Sequence, residues 1–411
     1  MNLDKNTAIA IIESLRSGIP TRISTRELPD LRPNLTGKIV QDLNQFLAGN
    51  IPQGRLIWGA YGQGKTHELT CIEHLALNQG FAVSRITLNR DLSGQHLFQL
   101  YSKVASSIKT PDSKLFGIRH KLDKKKSGDL PDSPIQDANR YSHPLPSIVL
   151  EDYFYAQEEE RDLLYGDILG SRIPVSEIRR IHKSRRGLPF PKIPAFGVLK
   201  HGHTYFEVMS DIIRWCGYKG WIILIDEVEL IARLGKAGRL NAYKNLNYLL
   251  NWSQHKQFPF YCVGGVASPL MDLWIGSQAR RLPDQEEIPI LAENKWGNEE
   301  RDAIHFFFRE AQNNHRCPQI SPLEPKQLLK ILEKIVEIHE ISYDWSSSIN
   351  LEELIDSSGS SPLRTYIRAL LESLDIKFLH SVDFKPTISF EKIDLVVDDE
   401  DFFQEDEGIN N

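Results

Sequence analysis

The sequence predicts a three-layer α/β protein with a mainly parallel sheet and a C-terminal helical lid. Three observations predict it. A glycine-rich turn, Gly59-Ala60-Tyr61-Gly62-Gln63-Gly64-Lys65-Thr66, stands between a short apolar run and a helical pattern. A second apolar run, Ile222-Ile223-Leu224-Ile225, ends in the carboxylates Asp226 and Glu227. From about Asn294 to Ser373 the pattern is mostly helical. Continuously apolar runs mark strands buried on both faces, as parallel strands are.

The turn fits G-x-x-x-x-G-K-[ST], the phosphate-binding loop of P-loop NTPases. A phosphate chain needs several backbone N–H groups aimed at one spot. Only a glycine-rich turn opening a helix brings the backbone that close. The context agrees: Arg55-Leu56-Ile57-Trp58 reads as a strand. His67 to Asn78 reads as a helix, with Leu69, Ile72, Leu75 and Ala76 at helical spacing. The expected ligand is a nucleoside triphosphate, held by Gly59, Ala60, Tyr61, Gly62, Gln63, Gly64, Lys65, Thr66 and His67. Lys65 is expected to reach the β- and γ-phosphates, and the Thr66 hydroxyl to ligate Mg²⁺.

Asp226 and Glu227 supply the other half of the expected site. Ligands sit at the carboxyl ends of parallel strands. Asp226 is therefore expected to hold Mg²⁺, and Glu227 to orient and deprotonate the attacking water. Together these predict an enzyme that hydrolyses a nucleoside triphosphate. Glu229 reads as a helix-start or surface carboxylate.

A chain of 411 residues allows two or three domains. The pattern divides it into an N-terminal helical linker at 1–50, an ATPase core at 51–291, a helical lid at 292–378 and an acidic tail at 379–411. The linker carries helices at about 4–17, with Ala8, Ile11, Ile12 and Leu15 on one face, and at about Leu35–Leu47. The core adds a strand at Phe81–Leu88, helices at about Thr204–Cys216 and Arg239–Ser253, and a strand at Phe258–Val266.

An insertion at about 110–202 interrupts the core. It reads as partly loop-like, with a helix through 158–164. Its basic stretches, 119–126 and 172–186, have two readings: solvated loop charge, or contact with a DNA or RNA backbone that salt would weaken steeply. The tail segment Asp398–Glu407 reads as solvated chain, or as a docking peptide built on Phe402 and Phe403.

Composition narrows the class. The apolar fraction of 41% and charged fraction of 25% fit a soluble globular protein. A net charge of −6 argues against a chain that coats nucleic acid along its whole surface. No apolar run approaches the ~20 residues that span a bilayer. Met1-Asn2-Leu3-Asp4-Lys5 opens no secretory signal, and Cys71, Cys216, Cys262 and Cys317 form no CxxC pair. A cytoplasmic protein without a membrane or zinc site is expected.

Three further positions are candidates. Ser268 ends the strand at 258–266. Where a middle strand lies between the two site strands, such a residue touches the γ-phosphate or the water. Arg280 and Arg281 read either as a finger offered to a neighbouring subunit's ATP or as a solvated basic turn. Arg364 sits in the first turn of a helix at Leu363–Leu374, where the helix dipole disfavours a cation unless an anion compensates. That conflict suggests a phosphate-sensing arginine.

Several segments together resemble a known family. They are Ile11 to Arg22, the loop at 59–66 with His67-Glu68-Leu69, Gly217 to Glu227, and Ser361-Pro362-Leu363-Arg364. The chain resembles the ATP-binding P-loop family of bacterial BREX phage-defence systems, which belongs to the AAA+-like ATPases. The likeness runs through about 8–375, with little of it in the insertion. It implies ATP and Mg²⁺ binding and action in a multi-protein defence or DNA-processing complex with helicase-like or methyltransferase partners. The resulting expectation is an ATPase that remodels or loads partners on DNA, with a nucleotide-dependent homo-oligomer in reach. Two other readings stand beside it: a signalling switch with slow hydrolysis, and a scaffold that docks partners through the tail and insertion.

Overall fold

The computed structural model describes residues 3–18, 21–133, 136–137, 140–252, 258–276, 282–358 and 361–382. Four parallel strands form its sheet: β1 (Arg55–Gly59), β2 (Ala82–Thr87), β3 (Trp221–Asp226) and β4 (Phe260–Ala267). Their order is β1-β4-β3-β2, so β4 stands between the strand that feeds the glycine loop and the strand that ends in Asp226. Every residue of β1, β3 and β4 is buried. That burial is the reason for their apolar runs, Leu56-Ile57-Trp58 in β1 and Trp221 to Ile225 in β3.

Alternate residues of each strand enter two different cores, as a period of two requires. Ile57, Val83, Ile222, Leu224, Tyr261 and Val263 pack with α3 (Pro33–Leu47) and α4 (Lys65–Asn78). Leu56, Trp58, Ile86, Trp221, Ile223 and Ile225 pack with the Leu97–Ser106, His203–Trp215 and Lys236–Leu250 helices on the other face. Helices therefore cover both faces, and the three-layer α/β fold with a parallel sheet is present.

The β1 edge is closed by a short segment. Leu56 and Trp58 donate backbone N–H groups to the Arg316 and Pro318 carbonyls, each at 3.1 Å, and Ile320 donates back to Trp58 at 2.6 Å. Trp58 pairs in parallel with Gln319. This covers an edge that would otherwise offer unpaired backbone groups.

The insertion is partly loop-like, as expected, but carries more helix than the one at 158–164 and has a core. Helices run at Leu145–Tyr153, Glu158–Ile168 and Val175–Arg186. They bury Leu150, Tyr153, Leu164, Ile178 and Ile181 against the main cluster. Several of its basic residues pair with the insertion's own acids. Arg185 meets Glu160 at 2.5 Å, Arg186 meets Glu151 at 2.8 Å, and Lys121 meets Asp112 at 2.6 Å. Arg119 meets Asp162 at 2.5 Å.

A second core joins the two ends of the chain. Ala8, Ile11 and Ile12 of α1 (Lys5–Ser17) and Leu28 and Leu31 beyond α2 (Arg22–Glu27) pack with Leu332, Ile335, Ile338, Leu370 and Leu374. Those partners come from the Pro325–Tyr343 and Leu363–His380 helices. The Asp284–Trp296 and Asn298–Ala311 helices instead pack into the main cluster through Ile288, Ala292, Phe307 and Phe308. The acidic tail from 383 onward lies outside the described residues.

Candidate functional site

The glycine loop leaves β1 at Gly59 and enters α4 at Lys65. Gly62 and Gly64 hold φ of 75° and 98°, the left-handed region that glycine enters without cost. No side chain caps α4. Its first N–H groups, which have no helical partner, can serve an anion instead. Lys65 is 8% exposed, and its ammonium donates to the Gly59 and Ala60 carbonyls at 3.0 and 3.1 Å. Burial pulls its pKa below the usual lysine range, while Glu229, Glu227 and Asp226 pull the other way.

The two halves of the site converge. A Cβ placed on Gly265 of β4 would stand 3.3 Å from Asp226 Oδ1 and 3.8 Å from Lys65 Cβ. The glycine there is what lets α4 and the β3 carboxylate approach across β4. Asp226 Oδ1 accepts the Glu227 N–H at 3.1 Å. Glu227 itself has φ 59° and ψ 37°, a left-handed conformation that is costly for a residue with a Cβ. Such strain is concentrated at functional turns.

Ser268 follows β4 and donates its backbone N–H to the Gly59 carbonyl at 3.3 Å, beside the start of the loop. Arg364 also reaches the loop. Its backbone N–H donates to the Gly62 carbonyl at 3.2 Å, and its guanidinium to the Gly18 carbonyl at 3.2 Å. His67 sits on the first turn of α4, where desolvation lowers its pKa to about 4 and leaves the ring neutral at pH 7. Arg280 and Arg281 lie outside the described residues.

Glu229 stands at a helix start, in the first turn of the short Val228–Arg233 helix, but not on the surface. It is 0% exposed, and one carboxylate oxygen accepts the Ala267 N–H at 2.9 Å. Burial, and next the charge of Glu227, push its pKa up to about 7. Burial first, and next the charge of Glu229, raise the Tyr61 phenol to about 12. Glu229 therefore anchors the end of β4. Sequence placed it after a strand end but could not show which way the turn would face.

Arg85 was also missed. It lies on β2 and donates to Thr70 Oγ1 at 2.7 Å, to the Thr66 carbonyl at 3.2 Å and to Asp226 Oδ2 at 3.2 Å. A lone arginine inside the strand Phe81–Leu88 was the available signal.

The oxygen donors of Thr66 and Asp226 suit a hard cation such as Mg²⁺, which leans on substrate phosphates for the rest of its shell. Among the described residues no group of three or more His, Cys, Asp or Glu could hold a metal, and no helix is long and apolar enough to cross a membrane.

No curated protein matches the chain. Among solved structures, the Orc1 protein of Aeropyrum pernix in complex with DNA is 13% identical, covering 81% of this chain and 72% of that one, at a TM-score of 0.23. A score that low fixes neither fold nor function. The family model for the BREX system ATP-binding protein BrxC/D matches residues 3–123 and 200–279. It takes in both halves of the site and skips most of the insertion; the element at 361–364 lies beyond it. The chain belongs to the BREX system ATP-binding protein BrxC/D family.

Proposed function

We propose that this ATP-binding protein is a Mg²⁺-dependent ATPase, and that its turnover moves a helical lid to remodel or load protein partners on DNA in phage defence. The observation that carries this reading is the approach of Asp226 to Lys65 around Gly265, at the carboxyl ends of one parallel sheet.

In this reading Lys65 exchanges the Gly59 and Ala60 carbonyls for phosphate oxygens. Its ammonium is already desolvated, so it meets a phosphate charge with little water left to displace. Thr66 and Asp226 would hold Mg²⁺, which supplies charge neutralisation across the phosphates when bound. Glu227 accepts the proton of the attacking water. Ser268, beside Gly59, contacts the γ-phosphate or that water. Arg364 senses the phosphate from the lid. We take the lid to be the unit built on 5–27 and 325–380, because those helices share their own core and meet the loop through Pro362 and Arg364. The 110–202 insertion is left as a helical module of the core whose partner is a protein of the same complex.

The test is a pair of variants read by nucleotide binding and steady-state turnover. Glu227→Gln should keep binding a fluorescent ATP analogue and lose at least ~100-fold in turnover, the scale of a lost general base. Lys65→Ala should lose binding. Normal turnover in Glu227→Gln overturns the assignment. Turnover of the unaltered protein, measured with and without duplex DNA, tests the DNA step: stimulation supports loading, and indifference removes DNA from the proposal while leaving the ATPase.

A further inference from the structure

We propose that Arg85 is a positioning residue that fixes both residues expected to hold the metal, and thereby sets how much Mg²⁺ the site requires. The inference rests on the ATPase reading above and deepens it.

The geometry is specific. Parallel pairing places Arg85 opposite Leu224 and Thr87 opposite Asp226, so the arginine lies one side-chain step behind the carboxylate on the same face. From there one guanidinium nitrogen donates at 3.2 Å both to Asp226 Oδ2 and to the Thr66 carbonyl, and the other donates to Thr70 Oγ1 at 2.7 Å. The contact spans the strand that carries the carboxylate and the helix that carries the hydroxyl.

Asp226 is thus held at both oxygens. Oδ1 takes the Glu227 N–H and Oδ2 takes Arg85. The nearest competing acid is Glu73, whose oxygen lies 3.9 Å from Arg85 and whose other oxygen is engaged by Lys109 at 2.8 Å. Arg85 therefore directs its shorter ionic contact to Asp226. The arginine side chain is 19% exposed and Asp226 is 6% exposed, so water screens the pair weakly.

Two effects oppose each other. A cation beside a metal site repels the metal. A donor that orients a ligand favours it, and loss of such outer partners typically costs 10–100-fold in metal affinity. The ordering effect prevails here, because the same guanidinium sets the Asp226 oxygen and the Thr66 backbone at once. A lysine would keep the charge but has no planar fork to span three acceptors.

The experiment measures retention of a fluorescent ATP analogue by the full chain as Mg²⁺ is varied, with EDTA as baseline. For Arg85→Ala and Arg85→Lys the affinity in EDTA should stay within about twofold of the unaltered protein, whereas the Mg²⁺ needed for half of the full effect should rise at least ~10-fold. A purely structural arginine would lower the melting temperature and leave that requirement in place. An unchanged or reduced Mg²⁺ requirement overturns the proposal. Should Arg85→Ala fail to fold, Arg85→Lys decides by the same readout. If the unaltered chain retains no nucleotide with or without Mg²⁺, the ATPase reading itself has failed and this inference falls with it.

Discussion

The backbone N–H of Arg364 donates to the Gly62 carbonyl at 3.2 Å, so the first turn of the 363–380 helix rests directly on the glycine loop. A Cβ on Gly62 would come within 2.9 Å of Pro362 Cβ. Gly62 thus meets two demands at once: a left-handed φ of 75° and contact with the second core. Any ligand that rearranges the loop must move, or be felt by, that helix. The guanidinium meanwhile holds the Gly18 carbonyl at the end of α1, so the N-terminal helix shares in the contact.

Arg364→Ala separates these roles. The backbone bond to Gly62 survives, and the exposed side chain contributes little to stability, within about 0.5 kcal/mol for such surface changes. If the arginine senses phosphate, turnover should fall by at least ~10-fold, since arginines on a transferring phosphoryl are worth considerably more than that. The check is steady-state turnover alongside a melting curve. Unchanged turnover with an unchanged melting temperature removes Arg364 from the site.

Asp42 and Arg55 make a different kind of pair. Arg55 opens β1 and is 4% exposed; Asp42 on α3 is 5% exposed. The contact is two-pronged, with Arg55 Nη2 to Asp42 Oδ1 at 2.8 Å, and Tyr261 of β4 donates to the same carboxylate at 2.6 Å. Removing one member strands a buried charge, a loss of about 3–5 kcal/mol. Asp42→Ala should therefore shift the urea-unfolding midpoint strongly downward. Glu27→Ala, which breaks an ion pair with the 70%-exposed Arg26 side chain, should cost at most about 1 kcal/mol. Equal shifts for the two would show that the β1–α3 pair is not a structural fixture.

The parts legible in the sequence were those whose physics is local. A buried parallel strand must be apolar throughout, so β3 announced itself, and a phosphate loop must be glycine-rich, so residues 59–66 did too. The insertion was harder. The Leu145–Tyr153 helix follows a proline-rich stretch, and the Val175–Arg186 helix buries only Ile178, Ile181 and His182 among many charges. Its apolar face is too narrow to stand out, and Arg185 and Arg186 find their acids on two other helices, Glu158–Ile168 and Leu145–Tyr153. Arg85 and Glu229 depend on register and on the direction of a turn, which are long-range quantities. The arginine inside an apolar strand was nevertheless a local conflict of the sort that marks a site.

Glu229 gives a pH prediction with a definite sign. Its ordinary pKa of 4.5 applies to the unfolded chain, and the folded one is about 7, from burial first and the Glu227 charge second. Between those values the folded protein binds more protons than the unfolded one. Stability must then fall as pH rises from about 4.5 to about 7, and level off above. Glu229→Gln keeps a carbonyl oxygen for the Ala267 N–H and removes the titration. Glu68, pushed by burial to about 8, imposes a similar slope on both proteins, so the informative quantity is the difference between them. The variant should gain on the unaltered protein as pH rises from 5 to 7, and the gap should stay constant from 7.5 to 8.5. At about 1.4 kcal/mol per pKa unit, the gap reaches a few kcal/mol at most. Urea-unfolding midpoints at each pH measure it. Parallel curves for the two proteins would mean that Glu229 keeps an ordinary carboxylate pKa when folded, and that its burial behind Lys65 is offset by charges the site already holds.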